Sequence, residues 1–447
     1  MVDTSTRKTY FQTISSHAPK YFTGSTIAAG MTLLMTKYYT LVFTPEVFGI
    51  LAMYLVMFKF IMAFCSLNLD SGSTRFYFDY RKTAKHEYLS TIFWLITFVS
   101  ILVLIASLIF MDFISNWIHP GSENVYIITL ISGILAVYVS FLIRVLYNEQ
   151  KSTSVLKHGI FQTFVNHISS VVFISIFNLG IFGRMMGQST GYSLNILTLF
   201  NEFYKERLFH LKLVFNRSMA NETLLLSIPG VITTIQGIAF VYLDRVFIKY
   251  YLGDSHVGVY TLGFLLGQGL SMFYESISQA VLPKVYNDMS ENYERSIKEL
   301  EIFSYKYYLG LLLITVLLSI LSPFIVSVLS NDSYMGASYI MPFVMAGFMM
   351  GGFYKIPSLI LGFHKRVWLY PFLAFFSFGI NALLNWKLIP IYGISGAAFA
   401  SFVGLFLYSI VLQLMCFKYM SRKYNILIYI GYAVILLTVW IAFIVYQ

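Results

Sequence analysis

Long apolar runs follow one another along nearly the whole chain, and no other feature constrains its fold so strongly. A helix of about 20 apolar residues spans the hydrocarbon of a bilayer. Runs of this kind fall at 22–43, 47–68, 88–112, 124–147, 155–182, 184–203, 222–248, 256–281, 303–329, 335–361, 367–388, 394–417 and 424–446. Every backbone polar group in lipid must be satisfied inside the protein, and runs this long do it as helices. The expected fold class is an all-α polytopic membrane protein with 12–14 transmembrane helices. Composition closes the alternatives: 58% of the residues are hydrophobic and 11% charged, against about 25% charged in a typical soluble domain. A soluble domain, a disordered chain and a nucleic-acid binder are excluded, despite a net charge of +10. The first 20 residues are polar, carry Arg7, Lys8, His17 and Lys20, and lack the pattern of a cleavable signal peptide.

The connections between runs alternate in charge. With the N-terminus in the cytoplasm, the inner connections hold Arg75, Arg81, Lys82, Lys85, Lys151, Lys157, Lys205, Arg207, Lys284, Arg295, Lys365 and Arg366, among others. The outer connections at 44–46, 115–124, 253–256, 331–333 and 390–393 contain no Lys or Arg. This is a positive-inside bias, so the net charge reads as topology rather than as an anionic partner.

An internal repeat organises the spans. Shifting 47–80 by 209 residues puts Gly49 on Gly258, Arg75 on Lys284, Tyr77 on Tyr286 and Asp79 on Asp288. Near the other end of each half, Gly180-Ile181-Phe182-Gly183 matches Gly393-Ile394-Ser395-Gly396. Two halves of six helices follow, both starting on the same side, as in a parallel pseudo-two-fold repeat around a central cavity. The expected division is a six-helix lobe at 1–203, a cytoplasmic linker helix at 204–221, a second lobe at 222–418 and an accessory helix at 419–447. Pro229, Pro342 and Pro357 read as helix breaks. The glycines at 183 and 187, 263 and 267, and 347 and 351 read as close helix packing.

No connection exceeds about 20 residues, so no extramembrane domain is expected to carry chemistry. There is no Walker-type phosphate loop, no H-E-x-x-H and no C-x-x-C. The two cysteines, Cys65 and Cys416, lie in apolar stretches and offer neither a disulfide framework nor a metal site. No enzyme activity, metal or cofactor is expected.

Several segments, in order and spacing, carry a family resemblance. The first half has Pro45-Glu46-Val47-Phe48-Gly49, Leu67-Asn68-Leu69-Asp70 and Arg75-Phe76-Tyr77. The second has Ser227-Ile228-Pro229, Leu243-Asp244-Arg245, Tyr251-Leu252-Gly253, Val257-Gly258-Val259-Tyr260, Leu282-Pro283-Lys284-Val285-Tyr286, Leu388-Ile389-Pro390 and Gly393-Ile394-Ser395-Gly396. Over residues 20–420 the chain resembles the Wzx-type polysaccharide flippases of the multidrug/oligosaccharidyl-lipid/polysaccharide exporter superfamily. The resemblance implies a bacterial inner-membrane protein with two six-helix lobes. Its substrate would be an undecaprenyl-pyrophosphate-linked oligosaccharide, carried to the outer leaflet for O-antigen, capsule or exopolysaccharide assembly. Its partners would include membrane lipids and the polysaccharide polymerase and chain-length machinery. Thirteen spans depart from the 12 or 14 usual in that family.

Such a substrate joins an anionic pyrophosphate, polar sugars and an apolar tail, so it needs a wet, cationic cavity open to lipid. A cation at mid-membrane costs at least about 2.5–3.5 kcal/mol, so each one needs a reason. Lys37, Lys59 and Lys355 are the deepest, and are expected to bind the substrate unless they snorkel or pair with an acid. Arg184 opens its span beside a Gly-Ile-Phe-Gly turn, and Arg75 and Lys284 sit at inner mouths. All three are candidate substrate contacts, with positive-inside anchoring the alternative for Arg75 and Lys284. Glu275 is a candidate for binding a coupling H+ or Na+, or for pairing with a lysine. Asp244 and Arg245 read as an ion pair or part of an outer gate, and His167 as part of a polar wall or a satisfied core histidine. Two other functions remain in view. A multidrug cation antiporter would want acids in the cavity, and a membrane glycan polymerase would want a large outer loop.

Overall fold

The computed structural model describes residues 30–445; the polar N-terminal segment and the start of the first expected span lie outside them. The described chain is helical, without a strand. Helix α1 covers 30–42. It is followed by α2 (Pro45–Ser66), α3 (Leu69–Tyr80), α4 (Lys85–Ile109), α5 (Met111–Ile118), α6 (Glu123–Asn148), α7 (Ser152–Ser175) and α8 (Gly180–Lys205). The second half contributes α9 (Arg217–Leu252), α10 (Asp254–Gln268), α11 (Leu270–Glu291), α12 (Tyr293–Ile320) and α13 (Ser322–Leu329). It ends with α14 (Ala337–Phe353), α15 (Lys355–Phe363), α16 (Tyr370–Met415) and α17 (Arg422–Val445). Among the described residues, nine helical stretches are long and apolar enough to cross a membrane. One is α16, which takes up two expected spans joined at Gly393. Expected spans also fall on α1, α7 and α8; α7 and α8 are diluted by polar side chains.

Packing divides the chain into two compact units that are not its sequential halves. One, here the C-centred unit, joins residues through Gly49 to those from Leu243 onward; the N-centred unit is Ile50–Tyr242. Within the C-centred unit the end of α1 is tied to the α13–α14 turn. Thr40 Oγ1 donates to Leu329 O at 2.8 Å, Asn331 Nδ2 to Thr40 O at 2.8 Å and the Tyr334 hydroxyl to Phe43 O at 2.8 Å. Within the N-centred unit the start of α9 packs on α3 and α4, with Tyr88 Oη 3.0 Å from Thr223 Oγ1 and the Tyr80 hydroxyl donating to Glu222 at 2.9 Å.

The linker is not a helix: residues 206–216 run without helical backbone. The N–H groups of His210, Lys212 and Asn216 donate to His86 Nδ1, Ser90 Oγ and Thr91 Oγ1 on α4, and Trp94 Nε1 donates to Lys212 O. Those bonds use the donors a helix would have turned inward, so tertiary partners override local helix preference. The expected connection at 283–302 is instead the continuation of α11 and α12. It breaks at Asn292, whose side chain caps α12 by accepting from Arg295 N at 3.1 Å.

The prolines behave differently from one another. Helix α9 runs through Pro229 and α14 through Pro342, whereas Pro357 follows a break at Tyr354. A proline removes the N–H that would bond the carbonyl four residues earlier. For Pro342 that carbonyl is Ser338 O, and the Ser322 hydroxyl donates to it at 3.0 Å. For Pro357 it is Phe353 O, and the Tyr308 hydroxyl donates at 3.1 Å.

The two Gly-Ile-x-Gly motifs play the same part in their halves. Gly180 and Gly393 both have left-handed backbone, with φ of 52° and 59°, a conformation open to glycine at little cost. Three residues on, a Cβ on Gly183 would lie 3.0 Å from Phe173 C, and one on Gly396 2.7 Å from Leu388 O. The first glycine turns the chain and the second lets the next helix close on the previous one. The stripes at 183 and 187, 263 and 267, and 347 and 351 are likewise close helix contacts.

Candidate functional site

In the C-centred unit the break at Tyr354 puts Lys355 at the start of α15. Its Nζ lies 2.7 Å from Glu275 Oε1 on α11, so two candidates set apart in the sequence form one ion pair. Aromatic rings surround the cation: Nζ is 5.6 Å from the Tyr274 centroid and 5.2 Å from that of Tyr354. Tyr354 in turn meets Tyr408 edge-on at 5.0 Å. The hydroxyls of Tyr307 and Tyr308 bond the Gly352 and Phe353 carbonyls freed at the break. The Glu275 side chain is 46% exposed and that of Lys355 17%. The arrangement offers a cation, a carboxylate and ring faces together, and cation–π contact adds to the hold on the ammonium.

Asp244 is wholly buried. Its carboxylate accepts from Tyr260 Oη at 2.5 Å, Ser401 Oγ at 2.5 Å and Asn385 Nδ2 at 2.6 Å. Asn385 also donates to Asn381 Oδ1 at 3.1 Å, and Asn385 Oδ1 has no described partner. The Gly393 turn makes this possible: it folds α16 back so that Asn385 before it and Ser401 after it reach one carboxylate, with Asn381 bonded to both of them. Arg245 is buried as well. Its Nε donates to Thr261 Oγ1 at 3.1 Å and its guanidinium lies 4.7 Å from the Phe264 centroid. The Asp244 carboxyl is thus bonded by two hydroxyls and an amide, within a cluster of oxygen-bearing side chains.

In the N-centred unit Arg184 is 8% exposed, with Nη1 donating to Asn166 Oδ1 at 3.0 Å. His167 is buried beside it, and its Nδ1 has no described hydrogen-bond partner. Lys59 is half-buried with Nζ 5.6 Å from the Phe58 centroid, and Tyr192 stacks on that ring at 6.0 Å. Lys37, on α1 in the other unit, is exposed. Arg75 and Lys284 each pair with the aspartate four residues on, Asp79 and Asp288, both at 2.7 Å, so the repeat keeps the ion pair as well as the cation.

Some partners escaped the sequence reading. Tyr274 at Lys355, and Asn381, Asn385 and Ser401 at Asp244, come from distant segments and carry no local signal, whereas Tyr354 is the chain neighbour of Lys355. His158, Gln162 and Asn166 recur every fourth residue on α7, a signal visible in the sequence. Among the described residues no group of three or more His, Cys, Asp or Glu side chains could hold a metal ion, and both cysteines are buried and free.

Comparison with known proteins agrees with this picture. A structure titled lipid II flippase MurJ, inward closed conformation, matches at a TM-score of 0.74 and 17% identity, over 94% of this chain and 92% of that one. An inward-facing multidrug resistance MATE family transporter of the MOP superfamily matches at 0.74 and 12%, over 86% and 93%. The Vibrio cholerae MATE transporter VcmN, in its bent form, matches at 0.56 and 12%, over 90% and 99%. At these identities the likeness is one of fold. A search of curated proteins finds no match. The family model described as polysaccharide biosynthesis protein matches residues 20–285, more than half of the chain. With its helices long and apolar enough to cross a membrane many times, in the fold these transporters share, the chain belongs to the polysaccharide biosynthesis protein family.

Proposed function

We propose that this protein is a flippase for undecaprenyl-pyrophosphate-linked oligosaccharides. It would move them from the inner to the outer leaflet of a bacterial inner membrane, for O-antigen, capsule or exopolysaccharide assembly. The observation that carries the reading is Lys355, a cation inside an apolar unit among tyrosine rings, which a pyrophosphate would reach by displacing its partner Glu275. A pyrophosphate seeks the cation and sugar rings stack on aromatic faces, so one group of residues suits both polar parts of the substrate. Lys37, Lys59 and Arg184 supply further positive charge, and Arg75 and Lys284 would meet the diphosphate at the inner mouths. Family membership and the fold shared with a lipid II flippase support the class of activity.

The cycle is alternating access, with the N-terminus cytoplasmic and with H+ or Na+ coupling. Asp244 among its oxygen-bearing neighbours is a candidate coupling or gating group. No covalent step is needed, and the polymerase and chain-length machinery would receive the product. The drug-antiporter reading is weaker: a cationic drug wants acids, and Glu275 stands against three lysines, Lys37, Lys59 and Lys355, while Asp244 is wholly buried. A glycan polymerase would need an outer catalytic loop, and the expected outer connections are short.

Deleting the gene in a strain without a second flippase should trap lipid-linked units in the inner leaflet. Complementation should restore surface polysaccharide with the natural chain and fail with Lys355→Met present at equal membrane level. Normal surface polysaccharide in the deletion strain would sink the proposal.

A further inference from the structure

The stretch that joins α8 to α9 is apolar on its outer side. Leu208 and Phe209 are buried, and Phe209 meets Phe203 edge-on at 6.5 Å. Beyond them the side chains turn outward: Leu211, Leu213, Val214 and Phe215 are all exposed, Leu213 at 90%. Single exposed apolar side chains are ordinary, but a contiguous run of them marks a contact surface.

This run is held in place. His210 N and Lys212 N donate to His86 and Ser90, and Trp94 donates to Lys212 O, so the stretch follows α4 from residue 86 to residue 94, a rise of about 12 Å. The backbone groups of Leu211, Leu213, Val214 and Phe215 have no hydrogen-bond partner among the described residues. Apolar side chains seek hydrocarbon, whereas unpaired peptide groups are too costly there. The headgroup boundary of a bilayer satisfies both, with acyl chains on one side and water and phosphate on the other. The neighbouring surfaces agree. Phe98 and Ile101 on α4 and Leu225 and Ile228 on α9 are exposed, on helices long and apolar enough to cross a membrane.

Charge selects the lipid. From Arg207 to Arg217 the chain carries Arg207, Lys212 and Arg217 and no Asp or Glu, and Lys205 stands just before them. All four cations are exposed. The acids nearby are engaged by other groups: Glu206 by Lys151, Glu87 by Asn216 Nδ2 at 3.0 Å and Glu222 by the Tyr80 hydroxyl at 2.9 Å.

We propose that residues 205–217 form an anchor for anionic phospholipid. The side chains of Leu211, Leu213, Val214 and Phe215 enter the headgroup boundary, and Lys205, Arg207, Lys212 and Arg217 hold the lipid phosphates. Headgroups and their water supply the backbone partners that α4 does not, so this stretch keeps its place without being a helix. With the N-terminus cytoplasmic, the leaflet is the inner one. The anchor stands on the membrane reading alone and is independent of what the protein carries.

The full chain with Leu213→Cys, bearing a fluorescent label, reads the placement in bilayers of phosphatidylcholine and phosphatidylglycerol. Cys65 and Cys416 are buried, so the natural chain serves as the unlabelled control. Lipids brominated near the headgroup should quench the label more than lipids brominated at the chain end. Stronger quenching from the chain end would overturn the placement. So would quenching from neither, the result expected if another segment or a protein partner covers the run. Lipid choice is read by mass spectrometry of the purified full chain after exchange into equal amounts of the two lipids. The natural chain should retain phosphatidylglycerol in preference to phosphatidylcholine. Each cation near an anionic surface is worth about fivefold in affinity, so Lys212→Gln with Arg217→Gln should cut that preference severalfold. Arg295→Gln, which removes an exposed cation paired with Glu299, should leave it unchanged. No preference in the natural chain, no fall in the double variant, or an equal fall with Arg295→Gln would overturn the choice of lipid.

Discussion

Gly49 on α2 and Gly258 on α10 pack against each other in a reciprocal contact. A Cβ on Gly49 would lie 1.9 Å from Asp254 O, and one on Gly258 1.9 Å from Pro45 O. The partner in each case stands four residues before the other glycine, and both relationships obey the offset of 209 residues that aligns the repeat. Two copies of one motif thus form a helix crossing with local two-fold character. Since the overlap is with backbone, neither side can relieve it by a rotamer change. Gly49→Ala or Gly258→Ala should each lower stability by about 1–3 kcal/mol, the usual cost of overpacking. The pair should cost less than the sum, because one displacement of the helices relieves both. Thermal unfolding of the purified protein in detergent checks this; a midpoint for Gly49→Ala equal to that of the natural protein would exclude the contact.

Asp244 leads to a graded series. Asp244→Ala leaves the Tyr260 and Ser401 hydroxyls and the Asn385 amide buried without their acceptor, at about 1–3 kcal/mol for each group left unsatisfied. Ser401→Ala removes one donor and leaves the carboxylate two others, so it should cost about 1.5–3 kcal/mol, the worth of a single bond to a charged group. In the Asp244→Ala background the same Ser401→Ala change should cost little, since its partner is already gone. Equal effects of Ser401→Ala in both backgrounds, measured by unfolding, would show that the hydroxyl and the carboxylate do not interact.

How much of this was legible beforehand follows from the range of each interaction. The helices and the repeat were, because apolar length and a constant offset are written along the chain. The Gly-Ile-x-Gly echo also kept its meaning, since a turn is local. The pairing of Lys355 with Glu275 was not, because nothing near either residue names the other; it depends on how α11 meets the start of α15. The linker misled for a related reason. Its basic, apolar stretch reads as helix in isolation, yet side chains of α4 take its backbone donors. The allocation of α1 to the C-centred unit likewise rests on contacts such as Thr40 with Leu329, 289 residues apart.

His364, beyond the end of α15, gives a pH dependence with a definite sign. Its Nε2 is 2.9 Å from the Tyr293 hydroxyl and its ring stacks on Tyr419 at 4.0 Å. Burial, with Lys418 and Arg366 nearby, holds its pKa below the ordinary histidine value. The unfolded chain, with a pKa of about 6.5, then binds the proton more readily than the folded one. The stability due to neutral His364 is present above about pH 6.5 and is lost as the pH falls from there through the folded pKa. Unfolding midpoints at pH 7.5 and 5.5 should therefore differ less for His364→Gln than for the natural protein. An unchanged difference would assign the acid sensitivity to other groups.

Ser322 and Pro342 allow the sharpest test of how a proline is tolerated inside α14. The ring removes the N–H that would bond Ser338 O, and the Ser322 hydroxyl donates to that oxygen from the start of α13. In the natural chain Ser322→Ala leaves a buried carbonyl without a donor, a loss of about 1–3 kcal/mol. Pro342→Ala restores the N–H within the helix, so the carbonyl no longer depends on the serine. Ser322→Ala should then cost only the weak second bond, under about 1 kcal/mol. The four unfolding midpoints form a cycle whose coupling energy measures the exchange of one donor for another. A coupling near zero would mean that Ser338 O is satisfied by neither group.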